Sequence, residues 1–197
     1  MRIKYFLTTI KTRGFCHTIK IIISGYFKVN KFLVFYKNLE KPFDYPLQDP
    51  TIEFAKISLE ELHSLRNKEK KLPVQFYCDL SHNFSTPFIA LVKGKVAAIH
   101  WVVLHDENSR FLEMKKGDVE LNYNTVLPEF EGKGLSKLLQ AYIIKNCIKK
   151  KHKRMFGVVN VDNIPQYKLM LRLGFEPVEV LTHFGFSHPK ATLKYVK

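Results

Sequence analysis

Residues 118–126 concentrate the side chains able to do acid–base chemistry. Asp118, Glu120, Asn122 and Asn124 alternate with Val119, Leu121, Tyr123 and Thr125. Successive side chains of a strand point to opposite faces, so this spacing predicts two acids and two amides on one face. Two readings fit that face: a strand whose polar side meets solvent, or one wall of a polar cleft. In the cleft, burial would raise a carboxylate's pKa toward the working range of a general base. Glu120 is the first candidate base and Asp118, on the same face, the second.

A glycine-containing segment follows directly. Pro128-Glu129-Phe130-Glu131-Gly132-Lys133-Gly134-Leu135-Ser136 leads into an apolar helical stripe of Leu135, Leu138, Leu139, Tyr142 and Ile143. Strand, glycine loop and helix N-terminus together make an anion site. Glycine lets the backbone approach a phosphate, unpaired N–H groups point at it, and the dipole favours negative charge. The segment is neither a Walker loop nor a dinucleotide GxGxxG fingerprint, and a tight turn before a helix would have the same composition. Further on, Met155 to Val161 reads as an apolar strand. Asp162-Asn163-Ile164-Pro165 opens a helix with a capping side chain and an early proline, and Gly174 closes it.

These segments resemble the GNAT acyltransferases. The phosphate loop of that family reads Arg/Gln-x-x-Gly-x-Gly/Ala, and here Glu131-Gly132-Lys133-Gly134-Leu135-Ser136 stands in its place. Its later motif opens a helix with asparagine and closes it eleven residues on with Gly-Phe, as Asn163 and Gly174-Phe175 do. The resemblance covers about residues 51–197. It implies a mixed, mostly antiparallel sheet flanked by helices, with the strands at 118–126 and 155–161 parallel and splayed into a V. Acetyl-CoA, or another acyl-CoA, would lie in that V. Backbone groups of Val126 and Leu127 would meet the pantetheine arm, as would Asn163 from the other side. Amides of Gly132, Lys133, Gly134, Leu135 and Ser136 would hold the pyrophosphate. Three residues depart from the pattern. Glu131 replaces Arg or Gln, and Ser136 replaces the small Gly/Ala. Met170 occupies the position of a tyrosine that in many members protonates the departing thiolate. Tyr167, three residues earlier, is the candidate substitute for that acid. The implied activity is transfer of an acyl group from the CoA thioester to a small-molecule or peptide amine. The alternative is a catalytically impaired module that binds a membrane surface or polyanion through its basic N-terminal segment.

The frame around these residues is ordinary in size and unusual in charge. The chain has 197 residues, 46% apolar and 25% charged, with a net charge of +14. This composition excludes disordered and collagen-like classes, and the charge speaks about partners rather than fold. Residues 1–42 hold nine basic residues against one acid, Glu40, a balance of +8 that leaves +6 for residues 43–197. Helical spacing of Ile3, Phe6, Leu7 and Ile10, then of Phe15, Ile19, Ile22, Ile23 and Tyr26, predicts basic amphipathic helices followed by a strand at Phe32–Tyr36. This extension is expected to meet an anionic membrane surface peripherally. Three prolines in residues 41–50 mark a linker. The acyltransferase-like domain is then placed at 51–197.

In that domain, Thr51 to Ile57 reads as a strand, Ser58 with Glu61 as a capping box, and 73–82 as a helix. Lys93-Gly94 turns a hairpin, 106–117 is a charged loop, and the strand from Phe175 to Phe186 pairs with Ala191 to Val196. Cys16, Cys78 and Cys147 are odd in number and widely spaced with no CxxC pair, so no zinc knuckle or disulfide framework is read, which suits a reducing compartment, and no metal site is expected. The expected location is cytoplasmic, at most peripheral to the inner face of a membrane, with no signal peptide. The run Lys145–Arg154 has the composition of a nucleic-acid patch, but at a helix C-terminus it is read as a solvated cap, so no nucleic-acid partner is expected.

Overall fold

The computed structural model describes residues 29–47, 49–69, 71–184 and 191–192. The basic helices expected in the first 28 residues lie outside the described residues. The described residues form nine strands and four α-helices: β1 (Val29–Asn38), β2 (Ile52–Lys56), α1 (Leu59–Lys68), α2 (Cys78–His82), β3 (Pro87–Val92), β4 (Lys95–Leu104), β5 (Leu112–Glu113), β6 (Asp118–Val126), α3 (Leu135–Lys149), β7 (Arg154–Asn160), α4 (Ile164–Arg172), β8 (Glu176–Phe184) and β9 (Ala191–Thr192). Seven strands form one sheet in the order β2-β3-β4-β6-β7-β1-β8. All its neighbours are antiparallel except β6 and β7. The fold is the mixed, mostly antiparallel sheet flanked by helices that the motifs imply.

Local signals hold closely. Ser58 caps α1 with both bonds of the capping box: its Oγ accepts from Glu61 N at 3.1 Å, and Glu61 Oε2 accepts from Ser58 N at 2.6 Å. The hairpin turns at Lys93-Gly94, where both residues have positive φ. α3 and α4 cover one face of the sheet through Leu139, Ala141, Ile143, Met170 and Leu173. α1, α2 and the 3-10 turn before α2 cover the other through Leu62, Cys78 and Phe76, packed on Trp101 and Ile99.

Three expectations change. β1, counted above with the N-terminal extension, is built into the sheet between β7 and β8. Its Val34 and Phe35 are fully buried, so the boundary at residue 42 falls inside the domain. An aromatic and branched strand needs two covered faces, and the sheet supplies them. β9 pairs in parallel with β5 rather than with β8, because an apolar run predicts a strand but not the edge it joins. The helix expected at 73–82 divides into a 3-10 turn at Val74–Tyr77 and the five-residue α2. Among the described residues no helix is long and apolar enough to cross a membrane.

Candidate active site

β6 and β7 run together for four rungs only, from Asp118–Arg154 to Leu121–Gly157. Beyond them β7 stays with β1 as far as Asn160 while β6 stays with β4, and a V opens between the two strands. The register of β6 slips against β4 between Trp101 and His100, where Tyr123 takes φ 46°. A bulge of this kind inserts one residue, bends the strand and reverses which face later side chains take. The face read from the alternation therefore ends at Asn122. Asn124 points the other way, and its Nδ2 reaches Ser136 Oγ at 3.4 Å on the α3 side.

The V forms a cleft of about 110 Å³, with His100, Asn122, Asn124, Gly157, Asn163 and Met170 among its walls. It continues into a hollow of about 220 Å³ between the N-termini of α3 and α4, bordered by Val126, Ser136, Pro165 and Leu169. Leu127 N–H bonds Ala97 O at 2.8 Å, which makes Ala98–Val126 a non-hydrogen-bonded pair of the ladder. The backbone N–H and C=O of Val126, and by the same alternation those of Asn124, therefore turn away from β4 into the V. Leu127 is different. Its N–H serves Ala97 and its carbonyl accepts from Phe130 at 2.9 Å, so its expected contact with a ligand in the V passes to Val126.

At the mouth of the V, Gly132 and Gly134 take φ 76° and 72°, a region that other residues enter at a cost. Gly134 is the N-cap of the 15-residue α3 and no side chain caps it. Its carbonyl takes the N–H groups of Lys137 and Leu138 at 3.1 and 3.2 Å, so the N–H groups before them face outward. Nothing lies within 4 Å of a Cβ built on either glycine. Open space, unpaired donors and the positive end of a helix fit a pyrophosphate. Lys133 lies beside the loop, 5.4 Å from the Phe130 ring centroid, with Nζ 3.5 Å from Glu129 O. Glu131 is exposed to solvent. Leu135 is buried as the first core residue of α3, and its backbone belongs to the uncapped turn.

Under the V runs a line of amides that the sequence reading missed. Ser136 Oγ accepts from Gln140 Nε2 at 3.2 Å as well as from Asn124. Gln166 Nε2 lies 3.5 Å from Gln140 Oε1 and 3.6 Å from Met170 Sδ. Gln140 is fully buried. A glutamine between Leu139 and Ala141 on an apolar helix face was the available signal. Asn163 caps α4 by accepting from Gln166 N at 3.2 Å, and the residue lines the V. Met170 does too. It is buried, and its methyl lies against Gly157, 2.5 Å from where a Cβ would be. Tyr167 does not reach the V. It packs on Phe35 of β1, ring centroids 5.6 Å apart, which removes it as the substitute acid.

The two candidate bases have different surroundings. Asp118 is gripped by Arg154, whose Nε and Nη2 lie 2.7 and 2.8 Å from its two oxygens, and it also accepts from Lys115 N at 2.8 Å. That set ties β6, β7 and the preceding turn together, and leaves Asp118 no role as a base. Glu120 is fully buried, and among the described residues no cationic side chain is bonded to it. It accepts from Ser109 Oγ at 2.5 Å and Asn122 Nδ2 at 2.9 Å. Burial pushes its pKa up to about 7, against the pull of these two bonds. His100, wholly buried, is pushed down to about 3 and stays neutral at working pH. Burial pushes the Cys78 and Cys147 thiols up to about 12, so neither supplies a thiolate nucleophile.

The model of the acetyltransferase (GNAT) family matches residues 52–175. Solved structures share the fold at low identity. A GCN5-related N-acetyltransferase from Kribbella flavida is 12% identical over 88% of this chain and 63% of its own, with a TM-score of 0.55. One from Sphaerobacter thermophilus is 10% identical over 92% of this chain and 59% of its own, also with a TM-score of 0.55. The glucosamine N-acetyltransferase region of a fungal multi-domain β-N-acetylglucosaminidase is 15% identical over 79% of this chain and 20% of its own, with a TM-score of 0.54. The chain thus spans less than two thirds of the length of each of these proteins. No curated protein matches it.

Proposed function

The chain belongs to the GNAT acetyltransferase family, and from that premise we propose that it is an acyl-CoA-dependent N-acyltransferase acting on an amine. The observation that carries this reading is the V with an uncapped glycine turn at its mouth, leading past Ser136 to a cleft wall that includes Asn122, the amide bonded to Glu120. The N–H groups of residues 132–136 would hold the pyrophosphate. The backbone of Val126 and the side chain of Asn163 would hold the arm from the two sides of the V. Acyl-CoA supplies an activated thioester. The protein's part is orientation and proton removal.

An amine must lose a proton to attack. Glu120 is the proton acceptor in this reading. Its pKa of about 7 makes it a base near neutrality. Its carboxylate is buried, and Asn122, bonded to it, stands at the cleft wall. The proton therefore passes through a water rather than by direct contact. Met170 offers the departing sulfur no proton, and a thiolate is a good enough leaving group to depart without one.

Acetyl-CoA and CoA should each raise the midpoint of thermal unfolding, since a ligand of the folded state stabilises it. No shift at millimolar concentration with several acyl chains would end this reading. A second reading, a non-catalytic module attached to an anionic surface by its basic N-terminal segment, draws on Met170 at the thiolate position. It expects CoA to bind without turnover on any amine, and vesicle binding to be lost when residues 1–28 are removed.

A further inference from the structure

We propose that Ser109 is a positioning residue for proton transfer: its hydroxyl is locked as a donor and holds Glu120 as an open carboxylate. This rests on Glu120 being the proton acceptor described above. Ser109 lies in the segment before β5, almost completely buried. Its Oγ accepts from Phe111 N at 3.3 Å and Leu112 N at 3.0 Å. A hydroxyl has two lone pairs and one proton. With both lone pairs facing backbone N–H groups, the proton is left one direction, toward Glu120 Oε2 at 2.5 Å.

The other carboxylate oxygen is held in the same manner. Asn122 Nδ2 donates to Oε1, and Asn122 Oδ1 accepts from Tyr123 N at 2.9 Å, which fixes the amide's orientation. Each oxygen of Glu120 thus meets a donor whose direction the backbone sets. A proton on Glu120 would face one of those donors, and Ser109 could accept it only by releasing Phe111 or Leu112. The surroundings favour the carboxylate while burial disfavours it, and the opposition leaves Glu120 poised rather than permanently neutral. The ionisable groups on the elements around it include Asp118 and Tyr123 on β6, His100 on β4, Arg154 on β7, Arg110 before β5, Tyr36 on β1 and His183 on β8. Asp118 and Arg154 neutralise each other. Burial and the two hydrogen bonds account for the position of Glu120. In the step itself an N–H bond of the substrate ammonium breaks and its electron pair stays on nitrogen, the proton goes to the intervening water, and the water gives up one of its own protons to form the O–H bond on Glu120.

The test needs no turnover. Because Glu120 is raised above its unfolded value, the stability that its protonation contributes is full at low pH and is lost as pH rises through about 7. The thermal midpoint of the full chain, followed against pH, reads this fall. Ser109→Ala should move the fall upward by about one pH unit, the scale of one hydrogen bond to a carboxylate. Ser109→Thr should leave it in place, and Glu120→Gln should abolish it. Ser109→Cys, a weaker donor, serves if the alanine variant does not fold. A uniform loss of stability with an unmoved midpoint would overturn the proposal and leave Ser109 as a structural tie. The acid limb of kcat/KM should shift with the stability curve. If the stability curve moves and kcat/KM does not follow, the assignment of Glu120 as base fails, while the hold of Ser109 on its carboxylate stands.

Discussion

Asp118 and Glu120 sit two residues apart on one strand, on one face, both buried, and they have opposite chemistry. Asp118 meets a guanidinium that takes both of its oxygens. Among the described residues Glu120 meets a hydroxyl and an amide. A buried carboxylate bonded to a guanidinium serves the fold, whereas Glu120, without such a partner among the described residues, pays for desolvation and its pKa is pushed up to about 7. The difference also marks two regions of the V. Its closed end, where β6 and β7 are still hydrogen-bonded, is fastened by the ion pair. Its open end, past the bulge at Tyr123, has the turned-out peptides and the uncapped helix.

The comparison breaks if the two acids respond alike to mutation. The largest effect expected is on turnover. Glu120→Gln should lower kcat by about 10²–10⁴-fold, the range for losing a general base, and a loss of under threefold in steady-state assays would remove Glu120 from the mechanism. Asp118→Ala should instead unfold more easily, by about 3–5 kcal/mol in denaturant titration, because it removes the buried carboxylate that ties Arg154 of β7 to β6. The same Glu120→Gln variant should be more stable than the parent above pH 7, on the order of 3 kcal/mol, with the gain vanishing toward about pH 4. That sign follows from the raised pKa: the unfolded chain releases this proton more readily, so rising pH favours it. The smallest effect sharpens the geometry. Tyr167→Phe should change kcat less than twofold, since its ring packs on Phe35 and not in the V. A tenfold loss would return Tyr167 to the site as the acid.

Some features were legible without any coordinates because they are local. The capping box at Ser58 and Glu61, the Lys93-Gly94 turn and the Asn163 cap each depend on neighbours within four residues. So does the glycine turn, whose positive φ at Gly132 and Gly134 needs residues lacking a side chain. The Asn124 face was misread because a bulge changes the strand's period without leaving a mark in composition. Tyr167 was misplaced because helical spacing puts it near the face of Met170 but says nothing of β1. β1 itself was set outside the domain, since its two neighbours, β7 and β8, come more than a hundred residues later.

What the sequence determined by itself is the order of strand, glycine turn and helix, the asparagine-capped helix after it, and the acids on the strand before it. These are enough for the family and for an anion site, because periodicity and turn chemistry act over a few residues. Which acid is a base was decided only in three dimensions. Arg154 reaches Asp118 across 36 residues of sequence, and Ser109 reaches Glu120 across 11. Charge state depends on what lies within a few ångströms, and folding brings those groups together from distant parts of the chain.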